Sequence, residues 1–484
     1  MTAMGINTEL LWTPGALAAA TGGTLLGTTA PAVTGVSIDT RTLAPGEAFF
    51  AIRGENSDGH AYVGRASERG AALSVVERGR VSAMPAGAPL LAVDHVLGAL
   101  EAVGRAARAR TPAKIIGVTG SVGKTTTKEA LALGLRADGP THASAASYNN
   151  HWGVPLSLAR MPAGSAYGVF ELGMNHAGEI TPLVDMVRPH VAIVTTVEPV
   201  HIAQFASVEA IADAKAEIFS GLVPGGAAVI NRDNPHFERL AGAARAAGVA
   251  TIIGFGEASG SDARLVSVAL QAQSSTVIAD IMGETVSFKV GLPGRHIVQN
   301  MLAVLASAKL VGADLCLAAL ALASMGPPPG RGVRTPLAVK GGIATLIDES
   351  YNANPASMRA ALAVLGGTPL TGRGRRLAVL GDMLELGPEG AAMHRDLAGA
   401  AAAADLVFCA GPLMRALWEA LPATRRGAWA PDAAALQPLV AERLRGGDVI
   451  MVKGSNGSRM GILARALIER FRAPAEALGA DAFE

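Results

Sequence analysis

The feature that most restricts what this chain can become is Gly117-Val-Thr-Gly-Ser-Val-Gly-Lys-Thr-Thr-Thr127. It follows the apolar pair Ile115-Ile116 and leads into a helix-like stretch, Lys128-Glu129-Ala130-Leu131-Ala132-Leu133. Strand, glycine-rich turn and helix, in that order, make a phosphate-binding loop. Backbone N–H groups left unpaired at a helix start point at an anion, and glycines let that anion approach the main chain. Lys124 is placed to reach β- and γ-phosphates, and Thr125 to put a hydroxyl on Mg²⁺. The full pattern has a glycine five residues before Gly123, where this chain has Val118, so the motif is the shortened form Thr-Gly-x-x-Gly-Lys-Thr.

A chain of 484 residues is too long for one core, and its punctuation divides it into three units. Residues 1–110 read as a small α/β unit. Thr13-Pro14 starts a helix that Gly22-Gly23 ends, and short apolar runs at 33–38, 48–52, 72–76 and 90–93 read as strands. Thr111-Pro112 reads as a hinge into a central unit, 111–326, where strands at 114–119, 168–172, 190–196, 227–231 and 251–255 alternate with helices. That alternation predicts a doubly wound parallel sheet with the nucleotide at its carboxyl edge. A strand-rich patch at 263–292 and two helices follow. Gly326-Pro-Pro-Pro-Gly-Arg-Gly332 cannot continue a helix and marks the second linker. Residues 327–484 repeat the βα pattern without a phosphate loop and predict a Rossmann-like open sheet. The expected class is α/β in three domains.

Composition excludes several classes. Half of the residues are apolar and 17% are charged, and 41 basic against 40 acidic side chains leave a net charge of +1. That balance points to neither a nucleic-acid nor a membrane surface. Cys316 and Cys409 have neither metal-ligand spacing nor a disulfide framework. The apolar stretch around 398–410 is broken by Asp405 and falls short of the roughly 20 residues that span a bilayer. The start of the sequence lacks the basic and apolar regions of a signal peptide. A soluble, cytoplasmic protein is expected.

A phosphate loop alone is neutral as to reaction, so the remaining polar groups at strand ends carry the question. Glu171 closes a strand beside the phosphate loop and can reach Mg²⁺ on Thr125; the alternative is a capping or surface acid. His201 follows the next strand, where a lone histidine is more often structural. Lys215 sits on an amphipathic helix and by default is a solvated lysine. Asn149 and Asn150, before a Gly-x-Pro turn, suit hydrogen bonding to a peptidic ligand, and Asn352 and Asn354 repeat that device before Pro355. Asp348, at a strand end, can accept from ribose hydroxyls. In the first unit, Ser37-Ile-Asp-Thr-Arg41 puts polar groups at a strand end, with Arg41 by default a surface charge.

Taken together, Thr119-Gly-Ser-Val-Gly-Lys-Thr125, Tyr148-Asn-Asn-His-Trp-Gly-Val-Pro155, Glu171-Leu-Gly173, His201, Ala214-Lys-Ala-Glu-Ile218, Leu292-Pro-Gly-Arg-His296 with Asn300, Asp348-Glu-Ser-Tyr-Asn-Ala-Asn-Pro355, Leu380-Gly-Asp-Met-Leu-Glu-Leu-Gly387 and Val452-Lys-Gly-Ser455 resemble the Mur ligases over nearly the whole chain. Ser-Tyr-Asn-Ala-Asn-Pro and Leu-Gly-Asp-Met-Leu-Glu-Leu-Gly resemble the members that add a dipeptide. The resemblance implies that Gly120, Ser121, Val122, Gly123, Lys124, Thr125 and Thr126 hold ATP. It implies that His296 and Asn300 contact adenine, and that Arg331 and Asp348 close from the other side. Thr125, Glu171 and His201 would hold Mg²⁺. In related ligases a lysine at the position of Lys215 is carbamylated and bridges toward a second metal, which makes Lys215 the candidate for that modification. Ser37, Thr40 and Arg41 would hold a UDP-sugar, Asn149 and Asn150 would lie along its peptide, and Asn352 and Asn354 near the incoming dipeptide. The substrates so implied are UDP-N-acetylmuramoyl-tripeptide and D-alanyl-D-alanine, joined through an acyl phosphate by a monomeric enzyme. Lys124, Glu171, His201 and Lys215 are its expected catalytic groups. A sister ligase or folylpolyglutamate synthetase would keep the ATP half and change the third unit. A P-loop switch NTPase is the reading from another class, although no Asn-Lys-x-Asp guanine motif is present.

Overall fold

The computed structural model describes residues 10–54, 57–145, 147–200 and 204–473. Its first sheet contains β1 (Thr24–Leu26), β2 (Gly35–Ser37), β3 (Glu47–Phe50), β4 (Leu73–Glu77) and β5 (Leu90–Val93), in the order β1-β5-β4-β3-β2. Only β1 runs antiparallel. The opening helix, Pro14–Thr21, obeys its sequence signals: Thr13 Oγ1 accepts from Ala16 N–H, Pro14 opens the first turn, and Gly22 ends it at φ 64°.

The helix Val96–Ala109 turns Val96, Leu100, Val103 and Ala107 inward, and the core it covers takes in Leu156 and Ala159 from the next unit. Trp12 Nε1 donates to Ala159 O at 2.8 Å. The Arg110 guanidinium lies 3.6 Å from the centre of the Trp12 ring and donates to Leu11 O and Met161 O. Thr111 is itself buried. The junction read as a hinge therefore crosses a core that both units share.

The central sheet has nine strands: β6 (Lys114–Thr119), β7 (Thr141–Ala143), β8 (Tyr167–Glu171), β9 (Val191–Val194), β10 (Ala227–Asn231), β11 (Thr251–Gly256), β12 (Ala263–Leu270), β13 (Ser275–Ile281) and β14 (Glu284–Val290). The order is β14-β13-β12-β11-β10-β9-β6-β8-β7. From β7 to β12 neighbouring strands are parallel, whereas β12, β13 and β14 pair antiparallel. The strand-rich patch at 263–292 supplies this antiparallel edge to the parallel sheet. The connection at Met282 and Gly283, with φ of 55° and 84°, is a two-residue hairpin, and so short a link can join only antiparallel strands. The buried side chains alternate along β13, with Val277, Ala279 and Ile281 in the core that also contains the helix Arg295–Leu310. On that same face, Leu131 and Leu135 of the helix Lys124–Arg136 pack together with that helix; Phe170, Leu183, Ile211 and Leu240 pack on the other face. From β6 the chain runs to the edge strand β7, returns through β8 and then crosses to β9 on the other side of β6, so the carboxyl end of β6 is the switch point where doubly wound sheets bind ligands.

The third sheet contains β15 (Val333–Val339), β16 (Gly342–Glu349), β17 (Arg376–Gly381), β18 (Leu406–Ala410), β19 (Arg426–Ala430) and β20 (Val449–Lys453), in the order β15-β16-β20-β17-β18-β19. β15 alone is antiparallel. Arg334 of β15 reaches Ala272 O, in the link between β12 and β13, at 2.9 Å. No helix among the described residues is long and apolar enough to cross a membrane.

One half-buried imidazole ties the edge strand β7 to its neighbours. His142 Nε2 lies 2.8 Å from Ser157 O, with its ring 6.0 Å from that of Phe170. Burial, reinforced by the charges of Arg160 and Arg136, pushes its pKa from 6.5 down to about 4 despite the bond to Ser157 O. The unfolded chain binds this proton near pH 6.5 and the folded chain does not, so stability is full above that pH and falls as pH drops toward 4. Replacing His142 with Gln should flatten the decline by on the order of 2 kcal/mol, measured by urea unfolding at pH 7 and pH 4.5.

Candidate active site

The phosphate loop is laced to the end of β9. Ser121 N–H donates to Thr196 O at 2.8 Å, Ser121 Oγ to Glu198 O at 3.0 Å, and Thr195 Oγ1 to Val122 O at 2.6 Å. Gly123 caps the helix Lys124–Arg136 at φ 88°. A Cβ there would sit 2.5 Å from Asn300 Nδ2, so both the left-handed backbone and the approach of the helix Arg295–Leu310 favour glycine. Lys124 Nζ folds back onto Gly120 O at 2.7 Å. Burial lowers its pKa, with the Glu171 carboxylate opposing and the Arg331 charge assisting the shift.

The Thr125 hydroxyl is the junction of the site. It donates to Glu171 Oε2 at 2.9 Å and accepts from Arg331 Nη2 at 3.1 Å, with Ser147 Oγ at 3.5 Å. The other Glu171 oxygen accepts from Asn149 Nδ2 at 2.8 Å. Glu171 is 1% exposed, so these bonds are what make a buried carboxylate tolerable. Arg331 arrives from the second linker, its guanidinium 4.1 Å from the centre of the Tyr351 ring. Planar stacking holds the fork that meets Thr125.

These groups line a cleft of about 400 Å³ between the central and third units. Its walls include Ser121 through Thr126, Asn149, Glu171, His296 and Asn300 on one side, and Arg331, Asn352 and Asn354 on the other. Lys453 contributes a buried amine that reaches Asn352 O at 3.0 Å and Glu349 Oε2 at 3.4 Å; burial lowers its pKa and the Glu349 carboxylate opposes that. Lys215 is 4% exposed rather than solvated, and burial, with the nearby Lys124 charge, holds its ammonium well below the usual lysine range. The carboxyl of Glu198 is pushed up by burial.

Other sequence candidates lie elsewhere. His201 falls outside the described residues. Asn150 Oδ1 accepts from Gly153 N–H at 2.9 Å in the turn that leads into the helix Gly153–Ala159, and it does not line the cleft. Asp348 Oδ1 accepts from Ser350 N–H and is likewise absent from the walls, whereas its neighbour Glu349 faces the cleft. Asn354 caps the helix Pro355–Gly367 reciprocally with Ser357 while lining the cleft. Ser37 and Thr40 are buried at the end of β2, and Arg41 pairs with Asp39 at 2.7 Å; none of the three lines this cleft. Sequence reasoning missed Thr195, Thr196, Asn231 and Gln299 as walls. Thr195 and Asn231 follow strands at their carboxyl ends, and that position was their available signal.

The oxygen donors at Thr125, Glu171, Ser147 and Asn149 suit a hard cation such as Mg²⁺. Among the described residues no group of three or more His, Cys, Asp or Glu side chains could hold a metal. A cation at Thr125 and Glu171 would therefore share its shell with phosphate oxygens and water, as Mg²⁺ does.

The sequence matches three family models: the Mur ligase family catalytic domain over residues 32–108, the Mur ligase middle domain over 118–308, and the Mur ligase glutamate ligase domain over 336–456. It is 35% identical to the UDP-N-acetylmuramoyl-tripeptide--D-alanyl-D-alanine ligase of Escherichia coli K12, across 90% of this chain and 93% of that protein. It is 32% identical to the protein of the same name from Bacillus subtilis 168, over 90% and 93%. The crystal structure of MurF from Acinetobacter baumannii superposes with a TM-score of 0.81 at 30% identity, covering 95% of this chain and 99% of that one. With fold, cleft and sequence in agreement over nearly its whole length, the chain belongs to the Mur ligase family.

Proposed function

We propose that this enzyme joins D-alanyl-D-alanine to UDP-N-acetylmuramoyl-tripeptide with cleavage of ATP to ADP and phosphate. The relatives at 30–35% identity over about 90% of the chain carry that activity in their names. The observation that carries the reading in the structure is the Thr125 hydroxyl, shared between a carboxylate of the central unit and an arginine of the linker to the third. That arrangement suits a triphosphate clasped from two sides.

The substrate carboxylate is a poor acyl donor, because oxide would have to leave. Its oxygen attacks the γ-phosphorus, the bond to the bridging oxygen of ADP breaks, and an acyl phosphate results. Lys124 and Arg331 offset the repulsion between carboxylate and triphosphate, which is the main barrier to that approach. The loop amides and Thr126 orient the phosphates, and Asn300 and His296 border the adenine end. Mg²⁺ bound at Thr125 and Glu171, with His201, would further neutralise the phosphate oxygens. The neutral amine of the dipeptide attacks the acyl carbon and inorganic phosphate departs. Burial and the nearby Lys124 charge lower the pKa of Lys215 and so favour its neutral amine, the form of lysine that adds carbon dioxide: its nitrogen bonds the carbon and releases one proton, leaving a carbamate suited to a second cation. Ser37, Thr40 and Arg41 hold the uridine nucleotide in the first unit, which spans residues 1–110, while residues 111–326 bind ATP and 327–484 the dipeptide.

Incubation with ATP, the tripeptide nucleotide and D-alanyl-D-alanine should give the pentapeptide nucleotide and ADP by mass spectrometry; ATP consumption without that product, or with another amine preferred, would overturn the assignment. Lys124→Ala should remove at least about 3 kcal/mol of transition-state stabilisation, hence more than a hundredfold in rate, with an unchanged circular dichroism spectrum. Glu171→Gln removes the charge and replaces one of the two accepting oxygens with a donor, and should raise the Mg²⁺ concentration needed for half-maximal rate about tenfold or more.

A further inference from the structure

The motif Ala214-Lys-Ala-Glu-Ile218 gives the chemistry above its lysine and leaves its glutamate unused. Glu217 follows the helix Val208–Ala216, which carries Lys215, and opens a short turn whose next two side chains, Ile218 and Phe219, are buried in one core with Leu183 and Val184. That anchors its backbone, while its side chain reaches a different segment, the stretch between Glu171 and the helix Ile180–Val187.

Leu172 N–H donates to Val118 O at 2.8 Å, and from Gly173 the chain has left the sheet. The helix Ile180–Val187 starts without a side-chain cap, because Glu179, at the capping position, turns back to accept from Asn175 N–H at 2.8 Å. Glu217 supplies the missing acceptor from elsewhere in the chain. Its Oε1 accepts from Gly178 N–H at 2.6 Å, and its Oε2 accepts from Ile180 N–H at 3.1 Å, Thr181 N–H at 3.0 Å and the Thr181 hydroxyl at 3.1 Å. Two of these four donors are the first amides of the helix, which have no partner within it and favour an anion.

The other end of the stretch bears on the partner of Glu171. Gly173 N–H donates to Asn149 O at 2.8 Å, and a Cβ at Gly173 would lie 2.8 Å from Asn149 Cγ. Asn149 is the amide that meets the Glu171 carboxylate. Gly173, Met174 and Asn175 then form part of the wall of the main cleft.

We propose that Glu217 is a positioning residue for the ligase reaction. It clasps the stretch 173–181 to the helix of Lys215, and so keeps Asn149 seated on Glu171 and Asn175 in the cleft wall. The inference rests on the ligase reading above. A carboxylate suits this task because both of its oxygens only accept; an amide in its place would set a donor against Gly178 N–H or against the amides of Ile180 and Thr181. Hydrogen bonds to a charged acceptor are also about twice as strong as neutral ones, so one side chain can hold a stretch that the sheet has released.

The test uses the full chain and three variants: Glu217→Ala, Glu217→Gln and Thr181→Val, the last removing one of the four bonds at nearly constant size. Hydrogen exchange read by mass spectrometry should show the segment 173–181 exchanging about tenfold or more faster in both Glu217 variants, and less so in Thr181→Val. Rates are counted per ADP-binding site, titrated by calorimetry, so that loss of folded enzyme does not register as loss of rate. On that count kcat should fall by about tenfold to a hundredfold in Glu217→Ala and by less in Glu217→Gln, which keeps one accepting oxygen, while the KM values for ATP and D-alanyl-D-alanine hold. If Glu217→Ala does not fold, the same order of exchange and rate in Glu217→Gln and Thr181→Val decides the matter. Unchanged exchange, faster exchange with an unchanged kcat per site, or an equal rise in every KM overturns the inference. Wild-type enzyme that forms pentapeptide while the variants match it sinks this inference alone, whereas wild-type enzyme that forms none sinks the ligase reading and this inference with it.

Discussion

A buried carboxylate is the constraint around which the site is arranged. Glu171 ends β8 inside the sheet, where an unpaired charge would cost several kcal/mol. Thr125 and Asn149 satisfy one oxygen each, and they come from the phosphate-loop helix and from the loop after β7. Satisfying Glu171 therefore adds a side-chain restraint on three segments that the sheet already brings together. Lys124 and Arg331 supply positive charge nearby, so the cluster is poised for more anionic charge than the protein itself brings.

Much of this was legible in the sequence because it is local. The phosphate loop follows from glycine spacing between an apolar strand and a helix, and β6, β10 and the helix caps at Thr13 and Asn354 follow from equally short-range signals. Glu171 was legible because strand ends in parallel sheets collect ligands. What was not legible is non-local. β1 and β7 are three residues each and partly exposed, so neither periodicity nor an apolar run marks them; they exist because a neighbouring strand offers hydrogen bonds. The antiparallel edge at β12 to β14 was visible only as a strand-rich patch.

The same division holds among site residues. Asn149 and Asn150 are adjacent and chemically identical, yet one meets the carboxylate and the other holds the turn at Gly153. Asp348 and Glu349 are adjacent acids on one strand, and alternation sends their side chains to opposite faces, so only Glu349 meets the cleft. Residue type cannot decide such pairs; the register of β16 against β20 does. Lys215 shows the converse. Its helix reads as amphipathic with a solvated lysine, but the packing buries it beside Lys124 and changes its chemistry.

The core shared by the first and central units has a mechanical meaning. Trp12, Arg110 and Ala159 weld the two at several points, whereas the third unit is attached by the proline-rich linker and by lighter contacts such as Arg334 to Ala272 O. Arg331 sits on that linker, so the segment that joins the third unit to the central one also carries the guanidinium that meets Thr125. Any separation of the third unit from the central one along this linker would withdraw that guanidinium from Thr125, so one side chain ties the linker to the phosphate loop.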